Sequence, residues 1–346
     1  MYIFTSHTNI YHQKTMRKIV FGILLFFFQW GFSQNTPSYK HFKHHSIFKK
    51  NDTINYYVYS QEEINSTTGI LLFIHGSGAF PMFNVTKDKK TTSVVSTIPF
   101  ELEKLPKDYA FIVVAKKCVP FVTINQEYHP SKCFYENESL DYRVWQYDQV
   151  INDLNKKIKN PKNIIAIGHS EGSDVVAKLG TVNKKLTHVG FWSGSGNSQY
   201  NDFALMIRKD ASEKKIDEKL AAMKLDSLYE KLTDIEAHPN DINKFWMNNT
   251  YKRWHKFSEP AVENLLKINI PVFVAIGTQD QAVPIESSLI IKSEFIRKHK
   301  KNLTYRIYPD YDHGFETVPS NPDEEPQDMW MSVFSEFMDW VKKNKS

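Results

Sequence analysis

A serine flanked by two glycines follows a short apolar segment near the middle of the chain. The segment NIIAI runs into Gly168-His169-Ser170-Glu171-Gly172, and the next residues, SDVVAKLG, are compatible with a helix. A G-x-S-x-G pattern between a strand and a helix is typical of a nucleophilic serine, because such a tight turn admits only glycine-sized flanks. We therefore predict that Ser170 is a nucleophile at the carboxyl end of a strand. The alternative is a helix N-cap with no catalytic role.

A nucleophilic serine needs a base, and an imidazole base needs a carboxylate to orient it. Asp280 follows the apolar segment VFVAIG, and His313 follows LTYRIY, the last predicted strand. Because the carboxyl ends of parallel strands meet at one edge of a sheet, we expect both residues to lie near Ser170. Asp310 and Asp312 are also close to His313 in sequence, and we expect them to point elsewhere.

Acyl transfer also needs two N–H donors for the oxyanion that forms on the attacked carbonyl. We predict that the backbone amide of Glu171 is one of them. The other should come from the loop HGSGAF after the first long strand, where we favour the Ser77 amide and keep Gly78 as an alternative. The Glu171 side chain either faces a cationic group of the substrate or pairs with an arginine of the scaffold, and we favour the pairing.

The elements that would position these residues alternate between strands and helices. Six β-rich segments, GILLFIH, YAFIVVA, NIIAIG, HVGFW, PVFVAIG and LTYRIY, are separated by polar, Gly or Pro residues, and five of the six are nearly continuous apolar runs. Nearly continuous apolar runs indicate strands buried on both faces of a parallel sheet. A helix ending before Pro161 is predicted by apolar residues that fall on one helical face. They are Leu140, Val144, Tyr147, Ile151, Leu154 and Ile158. The fold class is therefore α/β, with a doubly wound, mostly parallel sheet preceded by an antiparallel hairpin.

One connection is much longer than a simple crossover. Nearly eighty residues separate the segments HVGFW and PVFVAIG, and they contain amphipathic helical patterns. We predict a helical cap insertion at about residues 197–260. Its Trp246 and Trp254 form either the packing face of the cap or part of a substrate pocket, and Phe80 and Ser193 are further candidates for substrate contact. Making a turn is the alternative role for Ser193.

The first 33 residues have the pattern of a secretory signal peptide. Basic residues at positions 17 and 18 precede the uncharged segment IVFGILLFFF, and small residues follow at Gly31 and Ser33. Met16 is the expected start and Ser33 the expected cleavage position, which leaves residues 34–346 as the exported domain. The apolar run is shorter than the roughly 20 residues that a span requires. We predict a periplasmic or secreted protein without a stable membrane span after cleavage, with an uncleaved anchor as the alternative.

Cys118 and Cys133 are the only cysteines of the chain. In an oxidising compartment two cysteines this close in sequence can form a disulfide, and the alternative is a pair of unrelated buried thiols. No ligand pattern typical of a metal site accompanies them, so we predict no metal.

The charge balance argues against two classes of partner. The formal net charge is +5, and three of the positive charges lie before residue 34, in a stretch without Asp or Glu, so +2 remains on the rest. This remainder lacks the concentrated basic surface that nucleic acids or acidic membranes require. The 41% of hydrophobic residues is too high for a disordered chain. Nothing in the sequence indicates an obligate protein partner.

The segments GILLFIHGSG, AIGHSEGS, AIGTQDQAVP and YDHGF, in this order, resemble those of the α/β-hydrolase superfamily over about residues 65–345. Their forms are similar to dienelactone-hydrolase-like and acyl-CoA-thioesterase-like enzymes, and to the catalytic domain of prolyl-oligopeptidase-type peptidases. The resemblance implies a cofactor-free serine hydrolase, with Ser170, His313 and Asp280 as its triad. A carboxylic ester or thioester is the leading substrate. A short peptide is the first alternative, and a catalytically inactive binding protein is the second.

Overall fold

The protein is described by a computed structural model over residues 38–88, 91–321 and 323–344; the predicted signal segment at 1–33 lies outside them. Thirteen strands and nine α-helices form within the described residues. The strands are β1 (Lys43–Lys49), β2 (Asp52–Tyr59), β3 (Gly69–Ile74), β4 (Phe83–Lys87), β5 (Thr92–Ser96), β6 (Tyr109–Val114), β7 (Val122–Ile124), β8 (Ile164–His169), β9 (His188–Trp192), β10 (Phe245–Trp246), β11 (Asn249–Thr250), β12 (Val272–Gly277) and β13 (Leu303–Tyr308).

The helices alternate with the strands from the middle of the chain onward. They are α1 (Lys132–Asn137), α2 (Leu140–Ile158), α3 (Glu171–Val182), α4 (Gln199–Ser212), α5 (Glu218–Ala237), α6 (Tyr251–Lys256), α7 (Ala261–Leu265), α8 (Ile285–Arg297) and α9 (Trp330–Lys343). Among the described helices none is long and apolar enough to cross a bilayer.

Eight strands form one twisted sheet in the order β1-β2-β6-β3-β8-β9-β12-β13. The strands from β6 to β13 pair in parallel, whereas β2 is antiparallel to both of its neighbours. The structure thereby confirms the mostly parallel sheet and the leading hairpin. Parallel pairing requires that each chain segment crosses back over the sheet, so the carboxyl ends of β3, β8, β9, β12 and β13 share one edge.

The sheet separates two apolar layers, as the alternation of side chains along a strand requires. In β3, Ile70, Leu72 and Ile74 belong to the layer that contains residues of α2, α3, α7 and α8. Leu71 and Phe73 belong to the opposite layer, which is covered largely by the aromatic residues of α9. Both layers are buried, which explains why the strands are continuous apolar runs rather than alternating ones.

A second, three-stranded sheet was not predicted from the sequence. It has the order β5-β4-β7, with β4 antiparallel to β5 and parallel to β7. Its side chains Phe83 and Val85 are buried, whereas β5 is largely exposed. These strands are too short and too polar to give the pattern of a buried strand.

The long insertion contains helices and has a small core of its own. Helices α4 and α5 pack against each other, followed by the β10–β11 hairpin and α6. Met247 and Asn248 both have positive φ, which matches the two-residue turn that a tight hairpin favours. Leu228, Leu232, Ile235, Tyr251 and Trp254 form a separate buried cluster. We call residues 197–260 the cap.

Cys118 and Cys133 are joined by a disulfide in the structure, with their Cα atoms 6.0 Å apart. The bond ties the loop after β6 to the start of α1. The same loop carries Lys116 and Lys117, so the bond closes a segment that borders the edge of the sheet where the strands end.

The disulfide leads to a prediction about stability. Closing a loop over a sequence separation of 15 residues should stabilise the fold by about 3 kcal/mol through the entropy of the unfolded chain. The double variant Cys118→Ser/Cys133→Ser should therefore unfold at lower urea concentration than the oxidised protein, and match the reduced protein. Intact masses before and after reduction should differ by two hydrogens; identical masses would show that the bond does not form.

Candidate active site

The turn between β8 and α3 holds Ser170 in a conformation that non-glycine residues rarely adopt. Its φ is 57° and its ψ is −128°. A Cβ at position 168 would overlap the carbonyl oxygen of Gly172, and a Cβ at position 172 would overlap that of Ile74. Both flanking glycines are therefore required by packing. The strain of a positive φ at serine, about 1–3 kcal/mol, is typical of functional sites.

The hydroxyl of Ser170 is not used by its own helix. Ser170 occupies the N-cap position of α3, but its side chain accepts no capping hydrogen bond. Instead, Ser173 Oγ donates to the Ser170 carbonyl over 2.6 Å. The predicted nucleophile therefore lies at the positive end of the α3 dipole with its hydroxyl not committed to capping.

Asp280 and His313, which follow β12 and β13, form a direct pair. Nδ1 of His313 lies 2.8 Å from Oδ2 of Asp280. The other carboxylate oxygen, Oδ1, accepts the backbone N–H groups of Ala282 and Val283 over 2.9 and 2.8 Å. With both oxygens occupied, the carboxylate has a fixed orientation, and the His313 ring is directed by it. The Asp280 side chain is fully buried and that of His313 is 14% exposed.

The pair changes the protonation of His313. Burial lowers the pKa of the imidazole, but the negative charge and the hydrogen bond of Asp280 favour the imidazolium more strongly, so the net pKa is raised above its ordinary value. Asp312 contributes less. Its Oδ1 accepts the N–H groups of Gly314 and Glu316, which fixes the loop rather than the ring.

Hydrogen bonds tie the backbone of His313 to the turn that carries Ser170. The His313 carbonyl accepts from Nε2 of His169 over 2.8 Å and from the Ser193 hydroxyl over 3.0 Å. His169 immediately precedes Ser170, and its ring centroid lies 4.9 Å from that of His313. The described residues contain no hydrogen bond between the His313 ring and the Ser170 hydroxyl. The three predicted triad residues thus form an Asp280–His313 pair beside a separate serine turn.

The loop after β3 lies directly against Ser170. A Cβ at position 76 would be 3.0 Å from the Ser170 Cβ and 3.3 Å from its Oγ. Gly78 has a φ of 87°, which a glycine adopts without strain. This placement brings the segment containing Ser77 beside the nucleophile turn that begins α3 with Glu171. Both remain predicted oxyanion donors.

The Glu171 side chain is turned away into a buried ion cluster, with the arginine pairing that the sequence favoured. Its Oε1 accepts from Lys116 Nζ over 3.1 Å, and its Oε2 accepts from Nε and Nη2 of Arg253 over 2.9 and 2.6 Å. None of the three side chains is more than 3% exposed. Burial alone would raise the pKa of Glu171, but the two cations lower it to about 2.

A second carboxylate near this cluster has the opposite tendency. Burial and the negative charge of Glu171 raise the pKa of Glu138 to about 7. Its Oε1 has no hydrogen-bond partner among the described residues. Glu138 lines a small cavity together with Lys116, Arg143 and Glu171. The pKa values of these neighbouring carboxylates are thereby shifted in opposite directions, so that Glu171 is charged and Glu138 is largely neutral below pH 7.

Another buried acid links the cap to the sheet edge. Asp202 of α4 accepts from the Ser195 hydroxyl over 2.9 Å and from the Ser287 hydroxyl of α8. Burial raises the pKa of Asp202 to about 6. The Ser195 hydroxyl is therefore engaged in this contact between the cap and the sheet edge.

The structure buries two of the four predicted substrate contacts, and it places a third mainly in the packing of the cap. Ser193 is fully buried, and its hydroxyl donates to the carbonyl of His313, the predicted base. Trp254 is 5% exposed, donates Nε1–H to the Trp246 carbonyl and packs on the rings of Trp246 and Phe203 at 5.2 and 5.4 Å. Trp246 is half-buried in the same cluster. Phe80 is 48% exposed beside Gly78 and stays a prediction.

Sequence reasoning missed Lys116 and Arg253, the partners of Glu171. They lie 55 and 82 positions away from it along the chain. Lysine and arginine are common surface residues, so no local pattern distinguishes them. Within the described residues no group of His, Cys, Asp and Glu side chains could hold a metal ion.

The raised pKa of Glu138 predicts a pH-dependent stability. The folded state holds this proton more tightly than the unfolded chain, so ionisation lowers stability as the pH rises from about 4.5 to about 7. Glu138→Gln, which mimics the neutral acid, should raise the free energy of unfolding at pH 8 by about 1–3 kcal/mol, with little effect at pH 4.5. Urea unfolding at both pH values measures this. Glu136→Gln, at a more exposed position of α1, is the matched control, and equal gains at both pH values would contradict the assignment.

Comparison with known proteins gives one partial family match and several solved structures with the same fold. A sequence model of the dienelactone hydrolase family matches residues 246–344. None of the curated protein sequences compared with the chain matches it. Because the family match covers less than half of the chain, the remaining comparison rests on structure.

Solved structures with the same fold include two esterases and a peptidase. Est1E from Butyrivibrio proteoclasticus is 14% identical, with a TM-score of 0.50 over 87% of this chain and 98% of its own. An esterase from Pyrococcus furiosus is 14% identical, with a TM-score of 0.51 over 91% of this chain and 97% of its own. The acylaminoacyl peptidase from Pyrococcus horikoshii is 11% identical, with a TM-score of 0.53 over 94% of this chain, which spans only 43% of the peptidase.

At these identities the likeness concerns the fold, and together with the family match it supports a hydrolase. The sheet is mostly parallel with helices on both faces, as in those structures. The chain therefore has the fold of these α/β-hydrolase structures, and its residues 246–344 match the dienelactone hydrolase family.

Proposed function

We propose that the protein is an exported serine hydrolase that cleaves a carboxylic ester or thioester through an acyl-enzyme. The observation that carries this proposal is the 2.8 Å contact between His313 Nδ1 and Asp280 Oδ2. The His313 carbonyl also accepts a hydrogen bond from His169, the residue before Ser170. A strained serine turn, an oriented imidazole and a glycine loop at one sheet edge are the parts that acyl transfer requires.

The proposed reaction begins when Ser170 Oγ attacks the carbonyl carbon of the substrate while Nε2 of His313 takes the hydroxyl proton. Asp280 stabilises the imidazolium that results. The tetrahedral oxyanion accepts hydrogen bonds from the backbone amides of Ser77 and Glu171. The intermediate then expels the alcohol or thiol, which takes the proton from His313. A water molecule releases the acid by the same steps.

The serine–histidine hydrogen bond is expected to form in the substrate complex. Catalytic hydrogen bonds are often long or poorly aligned before substrate binds and tighten only in the complex. The helix dipole of α3 and the nearby amides favour negative charge on Ser170 and on the oxyanion.

Export is part of the proposal. The signal-peptide pattern of residues 1–33 supports it, and so does the pairing of Cys118 with Cys133, because disulfides persist mainly in oxidising compartments. A peptide substrate is the competing possibility, since the same triad cleaves amides and the fold is shared with an acylaminoacyl peptidase.

The function is tested by labelling and by a substrate panel. Wild-type protein should react with a fluorophosphonate probe and hydrolyse p-nitrophenyl esters of varied acyl length faster than aminoacyl or proline-containing anilides. Ser170→Ala should not be labelled, and its kcat should be lower by a factor of at least about 10⁴, with an unchanged melting temperature. Ser293→Ala, an exposed serine of α8, is the matched control and should behave as wild type.

Three outcomes would contradict the proposal. Fast anilide cleavage with negligible ester turnover would indicate a peptidase. A labelled Ser170→Ala variant would identify another nucleophile. An unlabelled and inactive wild-type protein would leave a binding protein with this fold.

The pKa of His313 predicts the pH dependence of that activity. The base acts only when neutral, so kcat/KM should rise with pH through a pKa above 6.5. Asp280→Asn removes the charge that raises the pKa and leaves the burial that lowers it. The acid limb should therefore move to lower pH, and the rate should fall by about 10⁴-fold.

A pH–rate profile of ester hydrolysis from pH 5 to 9 measures both effects. Asp310→Asn is the control, because asparagine tolerates the positive φ of that position and the profile should not move. An acid limb unaffected by Asp280→Asn would exclude this carboxylate as the partner of the base.

A further inference from the structure

A single buried ammonium group contacts both segments that are expected to supply the oxyanion donors. Lys116 follows β6, and its side chain is 3% exposed. Its Nζ donates to the carbonyl oxygen of Gly76 over 2.8 Å and to Oε1 of Glu171 over 3.1 Å. Gly76 immediately precedes Ser77, and Glu171 immediately follows Ser170.

The contact of Lys116 with the Gly76 carbonyl fixes the orientation of the whole Gly76–Ser77 peptide group. A trans peptide is planar, so its C=O and its N–H point in opposite directions. Because Lys116 holds the Gly76 carbonyl, the N–H of Ser77 must point away from Lys116. This peptide lies against Ser170, since a Cβ at position 76 would be 3.0 Å from the Ser170 Cβ.

Without such a contact the peptide would have little to hold it. Glycine populates a wide range of φ and ψ, so the peptide between Gly76 and Ser77 could rotate at low energetic cost. A rotated peptide would present its carbonyl oxygen, instead of an N–H, to the substrate. The negative carbonyl oxygen of Gly76 would then face the negative oxyanion, and the oxyanion would lose one hydrogen-bond donor.

The surroundings keep Lys116 in place. Glu171 supplies a negative charge on one side, and Arg253 of α6 holds that carboxylate through two hydrogen bonds. Arg253 in turn donates to Gln199 of α4 over 2.6 Å. A buried ammonium that left these partners would lose its compensation in a region with no water exposure, so the position of Lys116 is strongly determined.

We propose that Lys116 is a positioning residue for the oxyanion hole, acting by holding the Gly76–Ser77 peptide with the Ser77 N–H directed at the substrate oxygen. The proposal rests on the proposed serine hydrolase function and deepens it. Lys116 itself does not touch substrate. It acts on the transition state through one peptide group.

The test separates binding of the transition state from binding of the substrate. Lys116→Met should lower kcat on a p-nitrophenyl ester by about 10²- to 10³-fold, as expected for losing one oxyanion donor, with KM changed less than about threefold. A trifluoromethyl ketone forms a tetrahedral adduct with the serine and needs the oxyanion hole. Its inhibition constant should weaken by a factor similar to the loss in kcat, while that of the non-fluorinated ketone should not change.

Glu171→Gln is the matched control. It removes the charge partner of Lys116 but leaves the ammonium able to donate to Gly76, so kcat and the affinity for the trifluoromethyl ketone should fall less than about tenfold. Equal losses in both variants, in proportion to their melting temperatures, would show a merely structural ion cluster and overturn the proposal. An unchanged affinity for the trifluoromethyl ketone in Lys116→Met would also overturn it.

The experiment remains decisive if Lys116→Met does not fold. The triple variant Lys116→Met/Glu171→Gln/Arg253→Met removes all three buried charges together, which is far less destabilising than leaving one unpaired. It should show the same selective loss of trifluoromethyl ketone affinity, and unaltered affinity would overturn the role of Lys116. Wild-type protein that neither hydrolyses esters nor takes the fluorophosphonate label would instead refute the proposed function, and this positioning role with it.

Discussion

A carboxylate buried at the start of α3 holds together three parts of this molecule. Glu171 is bound by Lys116 from the loop after β6 and by Arg253 from the cap, and it belongs to the turn that carries Ser170. Burying any one of these charges alone would cost several kcal/mol, so the cluster is stable only when complete. The requirement constrains the cap, the loop after β6 and the serine turn to one mutual arrangement. The N-terminus of α3 adds a favourable dipole for the negative charge.

Acidic side chains at this edge of the sheet differ in role because their surroundings differ. Glu171 has two cations and stays ionised, with a pKa of about 2. Glu138 is buried near the charge of Glu171, one of its oxygens has no partner among the described residues, and its pKa rises to about 7. Asp280 accepts two backbone N–H groups and the His313 ring, so its carboxylate has a fixed orientation. The residue type alone would not distinguish these three, whereas their partners do.

The sequence predicted the features that depend on local patterns. Continuous apolar runs indicated the parallel strands, and the glycines around Ser170 indicated a turn whose backbone has no room for side chains. The Asp280–His313 pair was predictable because both residues follow adjacent strands. The order of strands in parallel sheets places such residues at one edge, so spacing along the chain becomes proximity in space.

The features that the sequence did not predict depend on distant contacts. Lys116 and Arg253 resemble surface residues until the fold brings them to Glu171. Ser193 follows a strand on the correct edge, yet its side chain points toward the backbone of His313. The small sheet of β4, β5 and β7 is built from short, half-exposed strands without a clear period. In each case the structural role depends on burial against a partner that is distant in sequence, which a local pattern does not reveal.

The cap contacts the sheet edge that carries the predicted catalytic residues. Its two tryptophans pack with Phe203 into its own core, so the cap is a preformed body rather than a loose loop. It meets the sheet edge through Arg253 on Glu171 and through Asp202 on the hydroxyls of Ser195 and Ser287. The first of these contacts continues through Lys116 to the Gly76 carbonyl. A displacement of the cap would therefore reach the proposed oxyanion donors through rigid, buried charges, and changes in the cap should alter turnover as well as substrate affinity.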